Sequence, residues 1–259
     1  MPDPIRLSVR LVERVWGRTD LSPWFPEAAK PIGEAWFIGP TDLPLLVKLI
    51  FTSERLSVQV HPDDGEDGPS GKTEMWHILD AEPGATIALG FREPITRERL
   101  EESARTGEIE QLLNWMPVKA GETYFTPAHT VHAIGGGIVL CEIQQNSDIT
   151  YRLWDYGRPR ELHLEKAIPV CDLGVHPGAT PPTQAVVSKY FITQRVEVGA
   201  GAQSTPEARR CHLWICLEGE ATIGTETVHA GEVWLLPEEG SQPTVASEAG
   251  ARFLRTWVP

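Results

Sequence analysis

Cysteine is scarce in this chain. Cys141, Cys171, Cys211 and Cys216 are the only four, and no two stand at CxxC spacing. That argues against a disulfide frame or a thiolate metal cluster and points to a reducing, cytoplasmic setting. Basic residues are also in deficit, with 23 Lys and Arg against 36 Asp and Glu and a net charge of −13. No basic run appears, so the surface does not suit nucleic acid or an anionic membrane. The longest apolar run, residues 43–51, is interrupted by Lys48 and is far too short to span a bilayer. Residues 1–10 hold no apolar stretch of the signal-peptide kind, and no signal peptide is expected. Patterns of the GxSxG, HExxH and P-loop types are missing, and the lone Gly135-Gly136-Gly137 reads as a strand-entry turn. Long helical periodicity occurs once, over residues 96–113, where Thr96 can cap and Gly107 interrupts.

Turn punctuation, in contrast, is dense. The 23 glycines and 22 prolines favour short strands over long helices, and 259 residues with 41 % hydrophobic content allow one large or two small domains. Residues 34–39 and 45–51 read as strands, the second apolar on both faces except for Lys48. Residues 72–79, 85–91, 123–127, 138–143 and 149–155 read as further strands, and residues 159–167 as a short helix. Residues 171–184 are rich in Pro, Gly and Thr and read as a linker. Ala230-Gly231-Glu232-Val233-Trp234-Leu235-Leu236-Pro237 repeats the pattern of Ala120-Gly121-Glu122-Thr123-Tyr124-Phe125-Thr126-Pro127. The repeat suggests two copies of one β-fold.

The chemistry centres on Leu56-Ser57-Val58-Gln59-Val60-His61-Pro62. Its alternation is that of a strand, so Gln59 and His61 point to the same side. Pro62 ends the pairing, having no N–H to give. An amide oxygen and an imidazole on one rigid strand make half a metal site, which Glu74 and His132 can complete. Two neutral imidazoles, an amide and one carboxylate leave a divalent cation with net charge +1, able to hold an anionic oxygen. Taken singly, each of these residues also fits a surface or hydrogen-bonded core position. Lys48 either snorkels to the surface or projects into a polar cavity. Lys72 either contacts a phosphate or shuttles a proton, or is an exposed loop lysine. Arg152 suits phosphate or enediolate binding, or pairs with Asp148 or Asp155 at the surface. His77 and His129 are candidate bases or hydrogen-bonded structural residues.

Four segments bring these residues together in order: Gln59-Val60-His61-Pro62-Asp63-Asp64, Gly71-Lys72-Thr73-Glu74-Met75-Trp76, Pro127-Ala128-His129-Thr130-Val131-His132-Ala133 and Asp148-Ile149-Thr150-Tyr151-Arg152-Leu153-Trp154-Asp155. Together they resemble the type I mannose-6-phosphate isomerases of the cupin superfamily, in their short bacterial form. The early Trp16-Gly17 and Leu45-Leu46-Val47-Lys48-Leu49-Ile50 also fit. The likeness is specific from about residue 10 to 170 and weaker beyond.

The resemblance implies a mainly all-β fold of two cupin, or jelly-roll, barrels with a short helical insertion. Residues 1–170 would form the metal-binding catalytic barrel, with its helical segment at 96–113. Residues 171–184 would be the linker, and 185–259 a second, metal-free cupin-like barrel, since His212 and His229 have no partner at suitable spacing. One Zn2+ per chain, or another divalent first-row metal, would be held by Gln59, His61, Glu74 and His132. Arg152 matches the family's active-site arginine; Lys72 joins it as a catalytic candidate, and Lys48 and Arg152 are the substrate-binding candidates. The expected reaction interconverts mannose 6-phosphate and fructose 6-phosphate by proton transfer between C1 and C2. The expected partner is a small sugar phosphate, with neither nucleic acid nor membrane involved and the oligomeric state open. A metal-dependent cupin oxygenase, or a non-catalytic sugar-binding cupin, is the alternative.

Overall fold

Leu45–Thr52 shows how the chain is layered, because every residue in this strand is buried. Leu45, Val47, Leu49 and Phe51 face one hydrophobic cluster, while Ile50 faces another. A strand with a core on each side must sit inside a stack of sheets, which explains its apolar run. The computed structural model describes residues 3–40, 43–207, 210–238 and 242–259.

The strand belongs to a seven-stranded antiparallel sheet. Its order is Ala179–Thr180, Thr123–Thr126, Glu74–Ala81, Ile138–Gln145, Leu45–Thr52, Ile32–Ile38, Ser8–Arg18. Facing it is a five-stranded sheet of Tyr151–Trp154, Val58–Val60, His132–Ile134, Thr86–Phe91 and Leu113–Pro117. Trp76, Ile78, Leu140, Ile87, Leu89 and Ile134 fill the space between the two, as expected of packed antiparallel sheets. This mostly β, cupin-like architecture is the one the sequence predicts.

The outer face of the five-stranded sheet is covered by helices. Arg97–Thr106 is capped by the Thr96 side chain, which accepts from the Arg99 N–H at 3.2 Å. The predicted 96–113 helix divides at Gly107, whose positive φ of 85° closes the first piece. The second piece, Ile109–Leu112, is a single turn, and Leu113 already pairs with Phe91. The helix expected at 159–167 begins later, as Leu164–Val170. Residues 155–160 are wrapped instead around the buried Asp155 carboxylate, which accepts from Arg158 and Arg160.

A third, nine-stranded sheet is built from the C-terminal block, residues 186–257, with Ile5–Arg6 paired to Val233–Leu236. Conversely, Ala179–Thr180 joins the N-terminal sheet beside Thr123–Thr126. The two blocks share one core: Phe37, Val47, Leu49, Phe51 and Met75 pack with Phe191, Ile215, Val233 and Leu254.

The sequence repeat becomes a structural one. Thr123–Thr126 and Val233–Leu236 are both four-residue strands entered through glycines at positive φ, Gly121 and Gly231. The Gly121 N–H donates to Ile78 O and the Ile78 N–H to Glu122 O; Gly231, Cys216 and Glu232 repeat that exchange. The Glu122 carboxylate accepts from Tyr124 and the Lys119 N–H, and that of Glu232 from Trp234 and the His229 N–H. Cys141, Cys171 and Cys216 are buried thiols. Among the described residues no helix is long and apolar enough to cross a membrane.

Phe51, at 0 % exposure, meets Trp24 and Phe25 edge-on in the shared core. Phe51→Ala should cost about 3–5 kcal/mol, read as a lower denaturation midpoint in urea at unchanged slope. A loss below about 1 kcal/mol would mean that the two blocks do not share this core.

Candidate metal centre

The two sheets of the N-terminal block converge on Glu74. This residue opens Glu74–Ala81 and points into the barrel on the face that carries Trp76 and Ile78. Across from it, His61 ends the segment begun by Val58–Val60, and His132 opens His132–Ile134, in register with Gln59. The strand expected over residues 56–61 is confined to Val58–Val60, with His61 just past its end, and the distant Glu74 and His132 come to it from separate strands.

His61 Nε2 lies 3.6 Å from Glu74 Oε2, and His132 Nε2 lies 3.6 Å from Glu74 Oε1. One donor atom from each of the three falls within 4.8 Å of the others. Both rings have their tautomer set from behind. His61 Nδ1 donates to Ile149 O at 2.9 Å, and His132 Nδ1 to Thr130 O at 2.8 Å. Each Nε2 thus keeps its lone pair and turns it toward Glu74. The Gln59 amide stands beside this trio, donating from Nε2 to His132 Nε2 at 3.1 Å.

The electrostatics call for a cation. Burial, aided by Lys72 and His132, holds the His61 pKa well below its ordinary value, and burial pushes His132 down to about 4. Both are neutral imidazoles at pH 7, as metal ligation requires. Burial, with the neighbouring Glu142 charge, raises the Glu74 pKa despite nearby Lys72 and Lys48. Both Glu74 oxygens are sealed from water; the Lys72 ammonium meets Oε2 at 3.2 Å, and among the described residues no donor reaches Oε1. Two imidazole nitrogens and a carboxylate with one oxygen unpartnered fit a divalent first-row ion.

Lys72 is buried, not an exposed loop residue. It precedes the strand rather than lying on it, and its Nζ is 3.2 Å from His61 Nε2. Burial opposes its charge, but Glu74, Glu142 and Glu34 outweigh this and raise its pKa. Lys48 projects into a polar cavity, where its ammonium donates to Glu142 at 3.0 Å and to Gln144. Its ammonium also stands 4.9 Å from the Trp36 ring centroid. Arg152 pairs in register with Gln59 and donates to Glu161 O at 2.7 Å, while its Nε is buried without a partner. It makes no ion pair with Asp148 or Asp155 among the described residues; Asp155 is taken by Arg158 and Arg160. His129 pairs with Glu66. His77 faces away from the barrel interior and hydrogen-bonds Thr123.

A cavity of about 360 Å3 is lined by Lys48, Gln59, Lys72, Glu142 and Arg152, and also by Arg14, Glu34, Asp148 and Arg160. Sequence reasoning missed Glu142, Arg160 and Glu34. Glu142 left a readable signal: a lone carboxylate in the apolar run 138–143, matching the lone Lys48 in 45–51. The two are partners in register. Burial would raise the Glu142 pKa, but the ammonium groups of Lys48 and Lys72 lower it, so it stays ionised.

The chain is 45 % identical over 218 residues to the mannose-6-phosphate isomerase of Bacillus subtilis, covering 75 % of this chain and 69 % of that protein. It is 35 % identical over 216 residues to that of Streptococcus mutans, covering 75 % and 68 %. The chain belongs to the mannose-6-phosphate isomerase family. A crystal structure of the mannose 6-phosphate isomerase from Bacillus subtilis superposes with a TM-score of 0.83 at 25 % identity, over 98 % of this chain and 99 % of that one. No protein-family model matches the chain. The metal trio, the cavity and Arg152 all lie between residues 14 and 160.

The raised Glu74 pKa has a signed consequence in chelator-treated protein. Unfolded Glu74 ionises near 4.5, whereas folded Glu74 ionises only at higher pH. Its stabilising contribution is complete below 4.5 and is lost as pH rises toward the folded value. Wild type should therefore lose stability relative to Glu74→Gln as pH rises from about 4.5 to 7, by at most about 1.4 kcal/mol per unit. Added Zn2+ should stabilise wild type much more than the variant. Parallel urea-denaturation profiles, with and without metal, would contradict the assignment.

Proposed function

We propose that this chain is a zinc-dependent aldose–ketose isomerase. It interconverts mannose 6-phosphate and fructose 6-phosphate by moving a proton between C1 and C2. The observation that carries this reading is the cavity. Lys48, Lys72, Arg14, Arg152 and Arg160 line it against Glu34, Glu142 and Asp148, in a chain of net charge −13. Its excess of cations suits a dianionic sugar phosphate that the molecule as a whole would repel. The volume of about 360 Å3 suits a molecule of that size.

His61, Glu74 and His132, with Gln59 beside them, would hold the metal, which when bound supplies a Lewis acid for the negative charge developing on the sugar oxygens. The chain's own residues do the rest. Arg152 and Arg160 can clamp the phosphate through their planar guanidinium groups. Asp155 fixes Arg160 by accepting from its Nε at 2.6 Å and from Nη2 at 2.7 Å. Lys48, bound to Glu142 and Gln144, keeps a third N–H for a sugar hydroxyl. Lys72, protonated, and Glu142, ionised, border the cavity as a proton donor and a proton acceptor. The early aromatics confine the site: Trp36 donates to Glu34, which also holds Arg14. In this reading residues 1–170 carry the catalysis, 171–184 connect, and 185–259 form a metal-free barrel. The enzyme works in the cytoplasm on a small sugar phosphate.

A coupled assay on mannose 6-phosphate, with metal analysis of the same sample, tests the proposal. Activity should disappear on chelation and return with Zn2+. Arg152→Ala should abolish turnover at unchanged metal content, a loss of at least about 100-fold in kcat/KM. Full turnover after chelation would refute the metal's role, and normal turnover in Arg152→Ala would remove that arginine from the catalytic machinery.

A further inference from the structure

A second cavity, of about 510 Å3, lies between the two blocks on the far side of the sheet from the metal centre. Trp24, Leu79, Leu217 and Phe253 give it an apolar wall. Deeper in stand two polar groups that the proposed chemistry does not use, His77 and Arg195. His77 lies on the outward face of Glu74–Ala81, three residues beyond Glu74, and is only 5 % exposed. Arg195 comes from Ile192–Val198 in the other block.

Thr123 links them. Its Oγ1 is 3.0 Å from Arg195 Nη2 and 2.9 Å from His77 Nδ1. A guanidinium can only donate, so Thr123 accepts from Arg195 and keeps its own hydrogen available for His77 Nδ1. With that hydrogen donated to Nδ1, the His77 proton sits on Nε2, which makes no hydrogen bond among the described residues. Burial, with the charges of Arg195 and Arg252, holds this imidazole down to about 4, so it stays neutral and keeps one N–H. Arg195 makes no ion pair among the described residues, and Thr123 is its one side-chain hydrogen-bond partner. The His77 Nε2–H and the Arg195 N–H groups not taken by Thr123 thus meet at the inner end of an apolar-walled cleft. The carboxylates of the cleft, Asp80, Glu197 and Glu218, stand at its exposed rim, where Arg252 takes up Glu218.

We propose that this cleft binds a small organic oxyanion, with its charge on the Arg195 guanidinium and the His77 Nε2–H and an uncharged apolar body along Trp24 and Phe253. Phosphate monoesters and carboxylates share the required chemistry. The rim carboxylates select against a second negative charge at the outer end. The site stands apart from the isomerase reading, because Arg152 and Lys48 line the other cavity.

The test follows the His77 ring resonances of the histidine-labelled full-length chain during titration with phenyl phosphate, with benzoate, and with neutral benzyl alcohol. At least one anion should shift His77 saturably, and its identity separates the two sources; benzyl alcohol should not. Arg195→Gln should weaken that binding about tenfold or more, Arg195→Lys less, and Arg152→Ala should leave it unchanged. Unmoved His77 resonances with both anions in wild type would overturn the proposal without recourse to any variant. So would undiminished binding in Arg195→Gln, or a shift abolished by Arg152→Ala, which would place the anion in the sugar-phosphate cavity.

Discussion

A carboxylate sealed from water is unfavourable unless a cation or donor meets each oxygen; Glu74 has the Lys72 ammonium at Oε2, but among the described residues nothing donates to Oε1. Much of the N-terminal block can be understood as the means of placing it. The seven-stranded sheet delivers Glu74 and the five-stranded sheet delivers the two imidazoles, each steered from behind by a backbone carbonyl. No single strand could do this, since side chains on one face of a strand fan out along one direction. The site needs two sheets facing each other, and hence the barrel.

The same constraint organises the charges around the site. Lys48, Glu142 and Trp76 occupy neighbouring registers on three adjacent strands, and Glu142 accepts from both of the others. Fully bonded, this buried network is a rigid wall; with one member missing it would leave an unpaired charge in the interior. The C-terminal block contributes through packing. It covers the outer face of the seven-stranded sheet, and it ties down the loop after His61, where Tyr190 donates to Asp63 and Lys189 pairs with it.

What the sequence revealed was local or periodic. Alternation over 56–61 marked Gln59 and His61 as sharing a face, the double-faced apolar run at 45–51 marked an inner strand, and Thr96 and Gly107 marked the first helix. The AGE…P repeat foretold two strands with the same hydrogen-bond exchange, because the glycine and the glutamate both act within a few residues. What stayed hidden depends on tertiary registry. Nothing local to His132 distinguishes it from His129; ligand chemistry makes it only a candidate, and the full ligand set is what the family resemblance implies. Arg160 lies in a stretch read as helical, and only the fold of residues 155–160 around Asp155 brings it to the cavity. His77 is by residue type a candidate base or a hydrogen-bonded structural residue, and its place on the alternate face of its strand sends it to the cleft between the blocks.

The central claim is that His61, Glu74 and His132 share one metal ion. Anomalous diffraction from crystals grown with Zn2+ tests it most directly. The account predicts one strong peak per chain, about 2.0–2.2 Å from Nε2 of both histidines and from a Glu74 oxygen, and no peak at that place in His132→Ala. A catalytically active crystal with no peak there, or with its zinc at a cysteine, would contradict it.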